Sequence, residues 1–293
     1  MASTSTLLYS IFGSLGLFTN GFAIFILLRL QNRFNSPNLL IFNQCVVDFL
    51  TSFFSIIQFV DKFNNPLPES PVLAAIVCSK YFFWSCIFTS TGNLVVLTID
   101  RYCAVIHSLK YNHVKNYKWV KCAALVTPWI CGFTFILYWV AIHRVVDGVC
   151  FQKWPSVQFQ KLFGFLNFFY IELAPLAIML FVYVRIFNSL KTRVGENSTT
   201  RNEHGNTARR MNIIKTMLIV GVIYMICWTP NQIAFLNFTF GGQFDFNGIF
   251  YYVVVVLSLF NSCVNPIIYT FKYKDFQEGL KKTLVCLLPR DTT

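Results

Sequence analysis

YFFWSCIFTSTGNLVVLTI, residues 81–99, contains no charge and is closed by Asp100-Arg101-Tyr102. A helix of that length crosses the hydrocarbon of a bilayer. An anion and a cation fixed together at its end therefore lie at a membrane face. Outward from this stretch the same pattern recurs, giving apolar runs at 7–28, 39–60, 81–99, 122–142, 162–184, 213–236 and 246–271. Lipid offers the backbone no hydrogen-bond partner, so each run is expected to be a helix. Composition agrees: 12% of the 293 residues are charged and 55% are hydrophobic, whereas a soluble domain carries about a quarter charged residues. The expectation is an all-α membrane protein, a bundle of seven transmembrane helices forming one domain over residues 1–293.

Orientation follows from Lys and Arg, which stay cytoplasmic in short loops. With the N-terminus extracellular, 19 of the 24 basic residues fall on the inner face and only Lys62, Lys80, Arg144, Lys153 and Lys161 on the outer one. The C-terminus is then cytoplasmic and the chain a multi-pass protein of the plasma membrane. The net charge of +12 reads as an orientation signal with some attraction to anionic membrane lipid, and nucleic acid is not an expected partner. Residues 1–6 lack the charged n-region of a cleavable signal, so the first helix is expected to direct its own insertion.

Of 10 cysteines, this topology leaves Cys78 and Cys150 outside, where a disulfide persists. The others read as small apolar filler, except Cys286. It ends a stretch, 272–286, in which Tyr273, Phe276, Leu280 and Leu284 recur at helical spacing among lysines. That pattern suggests an interfacial amphipathic helix 8 with Cys286 as a lipidation candidate. Residues 194–208 read as a polar cytoplasmic loop, its Ser198, Thr199 and Thr200 solvated. Around Asp147-Gly148, residues 145–151 carry a hairpin signal and would lid the bundle. The sequon at Asn237 lies close to the bilayer.

Polar residues in hydrocarbon are costly and therefore informative. Asp48 lies near the middle of its span, and Asn20, Ser90, Asn261, Ser262 and Asn265 can converge on it. Such a set suits a small hard cation with water; the alternative is a hydrogen-bonded cluster that merely joins helices. Pro175, Pro230 and Pro266 each remove a helical hydrogen bond, making either hinges or tolerated kinks.

Asp100-Arg101-Tyr102, Cys227-Trp228-Thr229-Pro230 and Asn265-Pro266-Ile267-Ile268-Tyr269 occur in order and in the right spans, with Asn20, Asp48, Trp129, Pro175, Tyr183 and the Cys78/Cys150 pair. On these residues the whole chain resembles a rhodopsin-like G-protein-coupled receptor and is most similar to neuropeptide receptors. The resemblance implies a two-state machine. An outside ligand perturbs Trp228, the inner half of helix six swings about Pro230, Arg101 is released from Asp100 toward a heterotrimeric G protein, and Tyr183 and Tyr269 turn inward. It also implies an allosteric sodium ion near Asp48, Ser90, Asn261 and Asn265, and no other cofactor.

Several residues depart from the family pattern. Arg209 and Arg210 stand where relatives carry a carboxylate, so the resting lock rests on Asp100 and appreciable ligand-free signalling is expected. Tyr224 replaces the usual Phe and Thr91 the frequent Ile, making the linkage beneath the pocket more polar. Cys78 lies two residues nearer Arg101 than is customary, and Ser108 replaces a loop proline.

Phe83 stands where amine receptors carry an Asp, and Leu259 where retinal proteins carry a lysine, so neither ligand class is expected. Gln58, Glu172, Asn231 and Gln232 remain as polar handles in an aromatic cleft with Phe83 and Phe235. A peptide is the leading expectation, with a lipid or small metabolite as the alternative. A transporter or channel would require inverted repeats and broken helices, which are not visible. An enzyme would require a nucleophile and base, and no such set occurs.

Overall fold

The computed structural model describes residues 2–30, 35–60, 67–196, 201–243, 245 and 248–287; side chains are described at these positions except 2–5, 58–60, 190–196, 201–217, 274–275 and 284–287. In chain order the elements are α1 (Ala2–Leu28), α2 (Ser36–Val60), α3 (Pro71–Ser79), α4 (Tyr81–Ile106), α5 (Ser108–Val114), α6 (Lys118–Ile142), β1 (His143–Val146), β2 (Val149–Gln152), α7 (Val157–Phe168), a π-turn (Phe169–Leu173), α8 (Ala174–Glu196), α9 (Arg201–Thr239), α10 (Ile249–Lys272) and α11 (Lys274–Leu287). Among the described residues, 7 helices are long and apolar enough to cross a membrane; α7, the π-turn and α8 together make the fifth.

The bundle is organised around α4, which packs against α2, α6 and α8, while α1 lies on α2 and α10, and α9 on α10 and α7. Close approach of α6 to α4 depends on Gly132, where an added Cβ would lie 2.7 Å from the backbone nitrogen of Thr89 and 2.9 Å from the carbonyl of Ser85. Small residues at such crossings are how membrane helices gain packing contacts. Large apolar side chains face outward, Phe18 at 72% and Phe271 at 70% exposure. Lipid rather than water is the solvent that suits such a surface.

Three local features differ from the sequence-based expectation. Residues 194–208 do not form one polar loop, because α8 continues to Glu196 and α9 begins at Arg201. A helix already nucleated in the membrane propagates readily through Ala208-Arg209-Arg210-Met211, which are strong helix formers. Ser198, Thr199 and Thr200 lie outside the described residues. Before the third span, α3 is a separate short helix capped at Lys80, whose φ of 52° turns the chain into the left-handed region. Cys78 thus sits on α3 and not on the spanning helix, which accounts for its unusual spacing from Arg101. The fifth span is interrupted by the π-turn just ahead of Pro175, so its break is a change of winding as well as a proline kink.

The hairpin forms as the Asp-Gly signal predicts. Val146 pairs with Val149 in an antiparallel ladder, and Asp147 (φ 52°) and Gly148 (φ 72°) both take the positive φ of a type I′ turn. A disulfide between Cys78 and Cys150, with Cα atoms 5.7 Å apart, ties β2 to α3. At the other end of the bundle α11 buries Phe276 and Thr283 completely or nearly so, and Gly279 lies against Ile26 and Leu30 of the α1 end.

Candidate functional site

At one end of the bundle Arg101 is 8% exposed. Its guanidinium pairs with Asp100 through Nη2 and, at 3.0 Å, through Nε. The second carboxylate oxygen of Asp100 accepts from Ser36 Oγ at 2.8 Å and from Tyr111 Oη at 2.9 Å. Among the described residues Asp100 is the only ion-pair partner of Arg101. Burial, followed by the nearby Asp100 charge, pushes the Tyr111 phenol up to about 12, so it stays a donor. Tyr102 turns away, its ring centroid 5.6 Å from that of His107 and 6.1 Å from that of Phe181. Beside the pair opens a mainly apolar cavity whose lining includes Leu97, Arg101, Met179, Tyr183, Val220 and Tyr269. Tyr273, also on its wall, donates to Asn38 Oδ1 at 2.6 Å and so joins the α10–α11 corner to α2. The side chains of Arg209, Arg210 and Cys286 lie outside the described ones.

Midway along the bundle Asp48 is fully buried. It accepts from Asn265 Nδ2 at 2.9 Å, Ser90 Oγ at 2.9 Å and Gln44 Nε2 at 3.0 Å. The convergence of Asp48, Ser90 and Asn265 matches the sequence-based set, and Asn261 is buried nearby on α10. Gln44 was not anticipated. Its Nε2 also donates to Ser90 Oγ at 2.6 Å, and its Oε1 accepts from Asn93 Nδ2 at 2.7 Å. Asn93 Oδ1 in turn accepts from Asn43 Nδ2 at 3.0 Å, and Asn43 Oδ1 from Trp129 Nε1 at 3.0 Å. A continuous chain of side-chain hydrogen bonds therefore runs from α6 through α2 and α4 to Asp48.

Two of the three inferred hinge prolines leave a carbonyl that another helix takes up. Pro266 has no N–H for the carbonyl of Ser262, and that oxygen accepts from Asn20 Nδ2 at 2.9 Å. Pro175 likewise cannot serve the carbonyl of Ile171, which accepts from the Tyr224 hydroxyl. Tyr224 Oη also lies 3.1 Å from Thr91 Oγ1. The two departures from the family pattern, Tyr224 and Thr91, thus meet each other and tie α9, α4 and the π-turn together. Trp228 lies above them, its ring 6.2 Å from that of Tyr224.

Toward the hairpin end, Phe83, Glu172, Asn231 and Gln232 are all buried. Asn167 Nδ2 donates to Gln232 Oε1 at 2.8 Å, and Thr229 Oγ1 donates to Glu172 Oε1. Phe235 packs on Trp139 at 5.7 Å, and Trp139 on Trp154 at 5.8 Å and Phe163 at 6.0 Å. Polar atoms buried in this region with no hydrogen-bond partner among the described residues include Glu172 Oε2, Trp228 Nε1, Trp154 Nε1, Tyr138 Oη and, in the hairpin, Gln152 Oε1. Buried polar groups are rarely left so. The Gln58 side chain lies outside the described ones. Thr239 of the sequon is 1% exposed, with its hydroxyl on the carbonyl of Leu236.

Sequence reasoning missed Ser36, Tyr111, Gln44, Asn93, Asn167 and the aromatic group around Trp139. For Gln44 a signal existed: Gln44 and Asp48 are four residues apart, as neighbours on one helix face must be.

A bundle of seven spans, a buried Asp-Arg pair at one end and a disulfide-tied hairpin at the other define a seven-helix membrane receptor. Residues 19–269 match the 7 transmembrane receptor (rhodopsin family) model, and the chain belongs to that family. Similar proteins include galanin receptor 2b of Danio rerio, 26% identical over 97% of this chain and 76% of the relative. Galanin receptor type 1 of Homo sapiens is 25% identical over 95% and 81%, and that of Rattus norvegicus 25% over 93% and 80%. The chain is thus a class A G-protein-coupled receptor, most similar to neuropeptide receptors, and a multi-pass membrane protein.

Proposed function

We propose that the chain is a plasma-membrane receptor for an extracellular peptide. Its hairpin end faces outward and its Asp100–Arg101 end faces the cytoplasm, where it activates a heterotrimeric G protein. The observation that carries the peptide reading is Glu172. This carboxylate is 5% exposed, holds Thr229 with one oxygen and leaves the other without a partner among the described residues, beside the Trp228 level. An acceptor in that state is satisfied when a ligand brings a donor, and a basic or amide-rich peptide supplies one. The names of the similar proteins, galanin receptors, support the same ligand class.

In this reading ligand contact at Glu172 and Asn231 shifts the packing of Trp228 on Tyr224. The bonds from Tyr224 to Thr91 and Ile171 are then exchanged, α9 moves about Pro230, and the cavity beside Arg101 widens to seat the transducer. The experiment is a peptide panel, galanin among it, applied to cells expressing this chain with chimeric G proteins. A peptide should raise signalling, and Glu172→Gln should reduce its potency about tenfold or more, as loss of a charge-assisted hydrogen bond does. Activation by neutral lipids or small metabolites alone, or a peptide response indifferent to Glu172→Gln, would overturn the peptide reading.

A further inference from the structure

The family resemblance implies a sodium ion between Asp48 and Ser90, and the residues present do not fit one. Gln44 Nε2 lies 3.0 Å from Asp48 Oδ2 and 2.6 Å from Ser90 Oγ, so its amide group stands between the two oxygens that a cation would need. Asn265 Nδ2 donates to the same Asp48 oxygen at 2.9 Å, and the hydroxyl of Ser90 donates to the other at 2.9 Å. The carboxylate therefore already faces donors from Gln44, Asn265, Ser90 and Ser262. Both carboxylate oxygens and the Ser90 hydroxyl are thus already engaged by donors of the chain.

An amide could in principle be turned round, presenting oxygen instead of N–H to this site, because the two ends differ only in hydrogen-bonding character. Here the orientation is fixed from a distance. Trp129 Nε1 can only donate, so Asn43 must present its oxygen to it and its nitrogen to Asn93. Asn93 must then present oxygen to Asn43 and nitrogen to Gln44, and Gln44 its nitrogen to Asp48 and Ser90. Each amide in the series uses both of its protons: Asn43 also reaches the carbonyl of Leu125 at 3.4 Å, and Asn93 that of Leu40 at 3.2 Å. Reversing Gln44 would set its oxygen against a carboxylate and its N–H against the N–H of Asn93. Two further acceptors, Oδ1 of Asn20 and of Asn265, are buried without a partner among the described residues. As neutral amide oxygens they suit a bridging water and do not restore the carboxylate–hydroxyl pair.

We propose that the Gln44 amide, held by the Trp129–Asn43–Asn93 series, takes the place of the sodium ion, so that the resting state of this receptor is insensitive to sodium. The counter-field for Asp48 is built into the chain. Its strength does not vary with the ionic composition outside.

The test needs no agonist. Purified receptor is melted, and its basal nucleotide exchange on a G protein measured, in sodium chloride and in choline chloride at equal ionic strength. Wild type should give the same midpoint and the same rate in both salts. Gln44→Leu with Asn93→Ser, which removes the amide and shrinks the partner that it leaves behind, should gain a midpoint that rises with sodium, as binding to the native state requires. Its basal exchange should fall about twofold or more in sodium, through the linked population shift. A sodium-dependent midpoint in wild type would overturn the proposal, and this arm stands even if the double variant does not fold. A folded double variant that remains blind to sodium would overturn it too. Neither result bears on whether the ligand is a peptide.

Discussion

Two buried polar regions a few turns apart are finished to different degrees. Around Asp48, every donor of the series from Trp129 through Asn43, Asn93 and Gln44 is paired, and the atoms left without a partner among the described residues are the Asn20 and Asn265 amide oxygens and the Tyr269 hydroxyl. Toward the hairpin end, polar atoms of Glu172, Trp228, Trp154 and Tyr138 are buried without a partner among the described residues. A closed network rigidifies the helices that it joins, whereas an open one is costly until something completes it. The contrast that separates scaffold from ligand site is between the two carboxylates, Asp48 engaged at both oxygens and Glu172 at one. Tyr224, beside Trp228, is a join between helices, since it holds the carbonyl freed by Pro175 and lies within hydrogen-bond distance of the hydroxyl of Thr91.

The largest effect should come from cutting the closed region. Asn93→Leu strands the Gln44 oxygen and the Asn43 nitrogen, and a loss of about 2–5 kcal/mol is expected from two orphaned buried groups. Thermal melting of the purified receptor reads it, and an unchanged midpoint would break the comparison. Glu172→Gln should do the reverse. Melting should stay within about 0.5 kcal/mol, since Thr229 keeps an acceptor, while peptide potency falls about 10–100-fold. A variant that melts early but binds normally would make Glu172 part of the scaffold.

Tyr224→Phe should be intermediate. Losing two hydrogen bonds at the join costs about 1–2 kcal/mol, and coupling between ligand and G protein should weaken more than ligand binding does. Dose–response curves for binding and for nucleotide exchange, measured on the same membranes, separate the two.

The smallest effect should be on the hairpin, through pH. Burial, partly offset by a hydrogen bond to the Trp139 carbonyl and reinforced by the nearby Lys80 charge, lowers the His143 imidazole below its ordinary value of 6.5. The folded state therefore prefers the neutral ring. Its contribution is complete above that ordinary value and is lost as pH falls from there toward the lowered one. Melting at pH 5.5 should come slightly earlier than at pH 7.5, and His143→Gln should flatten the difference; a wild type more stable in acid would contradict the sign.

What could be read from the sequence was whatever repeats or punctuates. Each of the seven apolar runs overlaps one of the seven spans, Asp147-Gly148 makes its turn, and Cys78 meets Cys150. Run ends were misjudged, since hydropathy marks where lipid stops and a helix continues as long as its residues allow. Hence α9 starts at Arg201 and not at 213. The short α3 was missed because its signals, Ser70 ahead of Pro71 and the left-handed Lys80, are local and not periodic. The π-turn has no sequence signature beyond the nearby proline. Asn93 looks like an isolated amide until α2 and α4 are brought side by side, and the spacing of Gln44 from Asp48 signals their contact but not the rest of the series. Only packing shows that their hydrogen-bonding polarity is fixed by a tryptophan on a third helix.

The most direct test of the account is nucleotide exchange on a purified heterotrimeric G protein, driven by the reconstituted receptor and by its Arg101→Ala and Trp228→Ala variants, with and without an activating peptide. The account predicts measurable exchange from the unliganded wild type, a further rise with peptide, and a loss of about tenfold or more of the peptide response in both variants. Full peptide-driven exchange from either correctly folded variant would contradict it.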